Sequence, residues 1–598
     1  MRSMTQDSRR FTSRTPARLL ALALIGLATA CTQKEPPAAA ADAAELVFKN
    51  ANIYTVDAAR PTATSLAVRG GRIVALGADK DTAALIGPQT QVVDLQGKFV
   101  MPAFHDEHAH MVWGGLNYSR CPLYDGNSPA DYQKIIAKCA ADEPGTGWLY
   151  GVGWKDGVFV PEGVPDRKQL DAVVSDRPAA FVSVGGHSIW VNSKALEAAG
   201  ITRKTPNPPN GRIDRDAQGD AMGAFQESAV ELITSKLPPP SAAEQMKAWR
   251  YARDYFHGIG VVGLHDASVP IASNDPDQVI PPGVADTYAA ATESGELKTY
   301  LGIALTWDKG RGLDQIPDLL AASKRLAEKG VEAKAVKFFM DGVPAQRSAA
   351  LLEPYADQPG FRGELYIPKA VFDAAVTQLD AAGMQVHVHA IGDWAVRASL
   401  DAFATARERN GAKDNRHLVS HVNWISPKDL KRFADLGAIV VFQPLWACLD
   451  EYMVMVGTRV GPQRLAHTYP AASLMHVGGK IAYGSDWPVA SANPLEGIEV
   501  ALTRRVPGAT QGELLAPEER ITLPQAIENY TLNAAFAAHR EKHSGSLQVG
   551  KSADLVVLDH DLFKIPENEI GKTKVLLTLF AGAPVHGDPA KLAGTDSK

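Results

Sequence analysis

Read for the spacing of apolar and polar positions, the chain has three textures. Residues 45–98 carry short alternating runs: Glu45-Leu-Val-Phe-Lys-Asn, Ser65-Leu-Ala-Val-Arg, Arg72-Ile-Val-Ala-Leu and Gln91-Val-Val-Asp-Leu. Gly, Asn or Asp separates them, and period-two alternation between turn residues predicts a small antiparallel β unit. The same texture returns in Ala553-Asp-Leu-Val-Val-Leu-Asp and Lys574-Val-Leu-Leu-Thr-Leu-Phe-Ala-Gly. Neither piece is long enough to bury a good core alone. The two ends, 45–100 and 541–588, are therefore expected to combine into one β-sandwich.

Between them, strand-like apolar runs alternate with helical segments, the pattern of parallel β/α architecture. Candidate strands begin near Ala103, Gly260, Thr299, Ala335, Met384, Arg416, Ala438 and Lys480. Eight is the number that closes a TIM barrel, so the fold class is α/β, a (β/α)8 barrel over residues 101–540. The interval after the first strand is too long for one connection. Residues 112–258 hold their own strands (Trp148-Leu-Tyr-Gly-Val-Gly and Ala179-Ala-Phe-Val-Ser-Val) and helices (Lys194–Ala199 and Ala242–His257). They are read as an α/β domain inserted at the C-terminal ends of the strands, with the Pro-rich stretch Thr205–Gly211 as a loop.

Composition adds bounds. The chain has 598 residues, 45% apolar and 21% charged, as ordinary soluble domains do. A formal net charge of −6 argues against nucleic acid as a partner, and four cysteines exclude a disulfide scaffold or a Cys-rich metal site. Residues 1–30 read as a secretory leader: five arginines between Arg2 and Arg18, then the short apolar stretch Leu19–Leu27, far below the ~20 residues of a membrane span. Ala28-Thr-Ala-Cys31 resembles a bacterial lipoprotein cleavage box, with 31–44 as a flexible tether. The expected location is therefore the periplasm or a membrane surface, anchored only through lipid on Cys31. Export implies an oxidising compartment, where Cys121 and Cys139 could pair.

The chemistry stands at the strand ends, where barrel active sites lie. Phe99-Val-Met-Pro-Ala-Phe-His-Asp-Glu-His-Ala-His110 runs from an apolar strand into a His-x-His pair. Alternate residues of a strand share a face, so Asp106, His108 and His110 point together if extended geometry continues. Strand four carries Lys337 inside an apolar run, where snorkelling is the ordinary explanation. Strand five carries His387 and His389, which spacing alone cannot choose between. Strand six ends in His421 and strand eight in Asp486. The coincidence on five strands, more than any one residue, points to a metal centre.

Together His108-Ala-His110, Lys337 with Asp341-Gly342, His389-Ala-Ile-Gly-Asp393, Arg416-His417 through His421, and Gly484-Ser-Asp486-Trp-Pro resemble the amidohydrolase superfamily. More closely they resemble amidohydrolase family 3, the YtcJ-like branch related to N-substituted formamide deformylases. Gly186-His187-Ser-Ile-Trp190, Gly211-Arg-Ile, Phe442-Gln-Pro444, Asn493-Pro-Leu and Gly545 to Val556 fit the same branch. The resemblance spans roughly 45–588. Ser420 stands where many relatives carry Glu, and Ala103 where Gly is usual; neither change removes a ligand.

The resemblance implies a metal-dependent hydrolase of a C–N bond in a small-molecule amide, N-acyl or N-formyl compound. It implies that His108, His110 and Asp486 hold one divalent ion, and His389 and His421 a second. Carboxylated Lys337 would bridge the two, and Asp486 would carry the catalytic proton. Imidazole and carboxylate donors suit zinc without excluding manganese, iron or nickel. His187 and Trp190 are candidates for substrate contact, and Arg347 either binds an anionic substrate group or pairs with a local carboxylate. The alternatives are cyclic-amide opening, ester hydrolysis, deamination, or a non-catalytic binding lipoprotein on the same fold. A homo-oligomer is left open.

Overall fold

The computed structural model describes residues 43–592, apart from 156–157, 160–163, 184–187, 209–210 and 272–280. The leader, Cys31, the tether up to residue 42 and His187 lie outside the described residues.

Eight strands form the barrel: β1 (Phe104–Ala109), β2 (Val261–Val269), β3 (Tyr300–Thr306), β4 (Glu332–Phe339), β5 (Gln385–Ala390), β6 (Leu418–His421), β7 (Ile439–Phe442) and β8 (Lys480–Tyr483). They lie in sequence order in one sheet, each parallel to the next. β1, β2, β6 and β7 are buried along their whole length. A strand covered on both faces needs no polar side, which is why β7, Ile-Val-Val-Phe, reads as a continuous apolar run, whereas β1 and β2 bury His and Asp side chains. Two backbone hydrogen bonds draw the outer strands together just past β8. Asp486 N donates to His108 O at 2.6 Å, and His110 N to Trp487 O at 2.8 Å.

The strand pairing of the two chain ends is explicit. Phe99–Pro102 runs antiparallel beside Leu555–Leu558, with Val100 opposite Val557. This sheet and the one made by Leu46–Lys49, Ser65–Arg69, Arg72–Gly77 and Gln91–Asp94 enclose a shared core containing Phe48, Ile53, Leu66, Val100, Leu555 and Leu577. The unit is not wholly antiparallel. Gln91–Asp94 is parallel to Leu46–Lys49, because the connection from Arg72–Gly77 passes through the helix Asp79–Ala83 and returns in the same direction.

After β1 comes a six-stranded sheet running from Cys121–Pro122 to Ala221–Glu227. The disulfide Cys121–Cys139, Cα atoms 5.7 Å apart, fastens its edge strand to the helix Pro129–Asp142. The helix Ala242–Gly258, expected inside this insertion, instead packs into the barrel core. Ser241 caps it and exchanges hydrogen bonds with Glu244. Gln245, Ala248, Trp249, Ala252 and Phe256 form one buried stripe at helical spacing, and the last four join the main barrel cluster. The stripe faces the barrel because the chain must next enter β2. Among the described residues no helix is long and apolar enough to cross a membrane.

Candidate metal centre

The site is assembled where β1 meets β8. The β1–β2 ladder slips between Leu264 opposite Asp106 and Asp266 opposite Ala109, so β1 carries one extra residue there. This bulge breaks the alternation. Asp106 does not join His108 and His110. Its Oδ1 accepts from His108 N at 3.1 Å and Ser485 N at 3.0 Å, stitching β1 to the segment after β8. Burial pushes the Asp106 carboxyl up to about 7 despite those donors.

His108, His110 and Asp486 converge, with one donor atom from each lying within 4.8 Å of the others, all three residues buried. Asp486 Oδ1 is 3.4 Å from His108 Nε2 and 3.1 Å from His110 Nε2. Asp486 has φ 59° and His421 φ 76°. The left-handed backbone, uncommon for residues with a Cβ, marks both strand ends as places where the chain turns sharply. Gly484 permits the close approach: a Cβ there would stand 2.6 Å from the His108 amide nitrogen.

Lys337 is buried, and its Nζ lies 3.2 Å from His108 Nε2. Burial lowers its amine to about 7, although Asp486 and Asp266 pull the other way. In the β4–β5 ladder Lys337 pairs with His387 and Phe339 with His389. The two histidines therefore sit at different depths. His387 Nε2 lies 2.6 Å from Ser420 Oγ and 3.2 Å from His108 Nδ1, below the donor cluster. His389 faces His421, ring centroids 4.5 Å apart, and its buried Nε2 has no hydrogen-bond partner.

Second-layer contacts set the imidazole orientations. His421 Nδ1 lies 2.8 Å from Gln443 Oε1; a carbonyl oxygen only accepts, so Nδ1 carries the proton and Nε2 keeps its lone pair. His108 Nδ1 is 2.9 Å from Ser420 Oγ. His110 Nδ1 faces Asp266 Oδ1 at 3.7 Å, and Asp266 accepts a short hydrogen bond from Tyr288. Burial lowers the basicity of His108, His389 and His421, with Lys337 adding to it, and all three are held neutral. His110 differs: burial is outweighed by Asp266 and Asp486, and it rises to about 8. Three neutral imidazoles, a fourth drawn toward carboxylates, and a buried His389 Nε2 that has no hydrogen bond and faces Asp341 Oδ1 at 3.8 Å fit a divalent cation.

The remaining candidates fall elsewhere. Trp190 is fully buried in the inserted sheet, packs on Phe159 and donates to Asp166 O at 3.1 Å. Arg347 is paired with Asp357, with Nη2 2.5 Å from Oδ2. Asp341 accepts from the amides of Ala350, Ile391 and Gly392, and Asp393 from Leu352, so both hold loops. Sequence reasoning missed Asp266, and it marked Gln443 only as part of Phe442-Gln-Pro444, without a role. Asp266 could have been found, since His265-Asp266 is a polar pair inside the apolar run of β2; that Gln443 would orient His421 was not readable from its motif.

A (β/α)8 barrel with histidines and an aspartate gathered at its strand ends defines a metal-binding barrel of the hydrolase type. The match to the amidohydrolase family covers residues 91–586, and the chain belongs to that family. It is 30% identical to the protein LONG AFTER FAR-RED 3 of Arabidopsis thaliana over 91% of this chain and 92% of that one. It is 27% identical to the N-substituted formamide deformylase of Arthrobacter pascens, over 90% of this chain and 97% of that protein. A crystal structure of an uncharacterized metal-dependent hydrolase from Pyrococcus furiosus superposes with a TM-score of 0.68 at 24% identity, covering 87% of this chain and all of the other.

Proposed function

We propose that the chain hydrolyses the C–N bond of a small amide, N-acyl or N-formyl compound. One or two divalent ions, with zinc best suited, would be held by His108, His110 and Asp486, and by Lys337, His389 and His421. The observation that carries this reading is the convergence of His108, His110 and Asp486 at the open end of the barrel. When bound, a divalent ion supplies a Lewis acid and lowers the pKa of water. The chain's own residues do the rest. Asp486, the carboxylate touching both β1 histidines, would take up the proton of the attacking water and return it to the leaving nitrogen. Lys337 would be carboxylated on Nζ when two ions bind, since a free amine buried 3.2 Å from a ligand imidazole is poorly placed as a cation.

Elemental analysis of the purified chain tests the reading, paired with a screen of N-acyl and N-formyl amines. About two equivalents of metal, falling to about one or fewer in Lys337→Ala, supports the bridged centre. About one, unchanged in that variant, supports a single-ion centre with a structural lysine. No metal after reconstitution overturns the hydrolase reading in favour of a binding protein.

We also place the chain outside the cytoplasm, as a periplasmic protein or a lipoprotein anchored through Cys31. The basic, apolar leader supports this, as does the Cys121–Cys139 disulfide. Loss of membrane association in Cys31→Ser would be the expected result.

A further inference from the structure

Phe339 ends β4 with its ring 5.5 Å from the His389 ring and 5.0 Å from Lys337 Nζ, yet it is 38% exposed. A large apolar side chain at the donor cluster would be expected to bury itself; this one stays open to solvent beside the chemistry. Two further aromatic rings border the cluster. Trp446 stacks on His421 at 5.6 Å, and Trp113 meets His110 edge-on at 5.7 Å. Both are only partly buried. Outward from Phe339 the apolar surface continues. Tyr366, whose amide donates to Met340 O at 2.9 Å, is 39% exposed, and Tyr452 is 41% exposed on a helix packed against the turn Pro344–Gln346.

The nearby guanidiniums share one carboxylate, and the Lys309 ammonium lies over the Tyr366 ring at 5.9 Å. Arg347, in the loop after β4, is bound to Asp357, which Arg459 also contacts at 2.9 Å. A mouth walled by open aromatic faces favours a flat apolar group that can pack against them.

We infer that Phe339 is a specificity-determining residue: with Trp446 it forms an apolar wall that receives an aromatic substituent beside the scissile amide. This rests on the amide-hydrolase reading for the identity of the bond, but not for the recognition of the ring.

The test is therefore run on binding and on turnover. Phenylacetamide, acetamide and the monoamide of succinic acid are titrated by calorimetry into the metal-loaded protein, wild type and Phe339→Ala, and their hydrolysis is followed separately. Wild type is expected to bind phenylacetamide about tenfold or more tighter than acetamide, with the succinic monoamide no better than acetamide. Phe339→Ala should lose most of that preference while keeping its metal content and its acetamide affinity within about twofold. Phe339→Leu should keep an intermediate preference. Equal loss for all three probes in Phe339→Ala overturns the inference, as does a wild-type preference for the charged amide. Ring preference without hydrolysis of any amide overturns the hydrolase reading and leaves the apolar wall standing; hydrolysis without ring preference does the reverse.

Discussion

Asp486 and His108 meet twice. The Asp486 amide donates to the His108 carbonyl at 2.6 Å, and its Oδ1 lies 3.4 Å from His108 Nε2. The backbone bond draws β1 and the end of β8 together at the point where the side chains converge. Barrel closure and ligand placement are thus one event.

That coupling predicts the behaviour of Gly484→Ala. An added Cβ would stand 2.6 Å from the His108 amide nitrogen and 2.7 Å from its Cβ, atoms that cannot move without opening the seam. The substitution should cost about 1–3 kcal/mol of stability. It should also lower metal content, an outcome that a remote core substitution of equal cost would not produce. Thermal unfolding and elemental analysis on the same sample check both.

Gln443→Leu removes the acceptor that fixes the His421 ring and leaves a buried Nδ1–H unpaired. Loss of such an orienting partner typically weakens metal binding by about 10–100-fold. Competition with a chelator measures it, and wild-type affinity in the variant would show that His421 needs no orientation or is not a ligand.

Asp380 carries a pH prediction outside the site. Burial pushes its carboxyl up, but hydrogen bonds from His417, Asn410 and Asn415 prevail and bring it down to about 2. A carboxyl lowered in the folded state stabilises fully above its unfolded value near 3.8 and loses that contribution as pH falls through about 2. Asp380→Ala should therefore be less stable than wild type by about 2 kcal/mol at neutral pH. The gap should close as the pH is lowered from about 4 to about 2. Denaturant melts across that range decide it.

The thiols should count in a fixed order. With Cys121 and Cys139 joined, Cys448 is the free cysteine among the described residues; it is buried, and burial raises its thiol to about 12. Starting the chain after Cys31, a thiol reagent should find none in the native protein, one after unfolding and three after reduction. A fast-reacting native thiol would contradict the burial of Cys448.

Much of this was legible because the signals are local. A parallel strand covered on both faces is mostly apolar, so the runs announced themselves, and Lys337 within β4 and Asp486 just past β8 stood out against them. Alternation failed at Asp106 because a bulge in β1 depends on the register of β2, which lies more than 150 residues away. It could not separate His387 from His389 because both face inward, and depth along the barrel axis is set by pairing with Lys337 and Phe339.

The sequence by itself determined the barrel, the pairing of the two chain ends and a set of candidate metal-binding residues. The first two follow from periodicity, and the candidates from polar side chains too costly to bury without purpose together with the family resemblance. The tertiary structure decided which of them meet, through closure of β8 on β1. It also decided that Arg347 is held by Asp357, that Trp190 serves the core of the inserted sheet, and that Phe339 stands open at the mouth. Those outcomes depend on contacts between segments distant in the chain, whose distances no periodicity encodes.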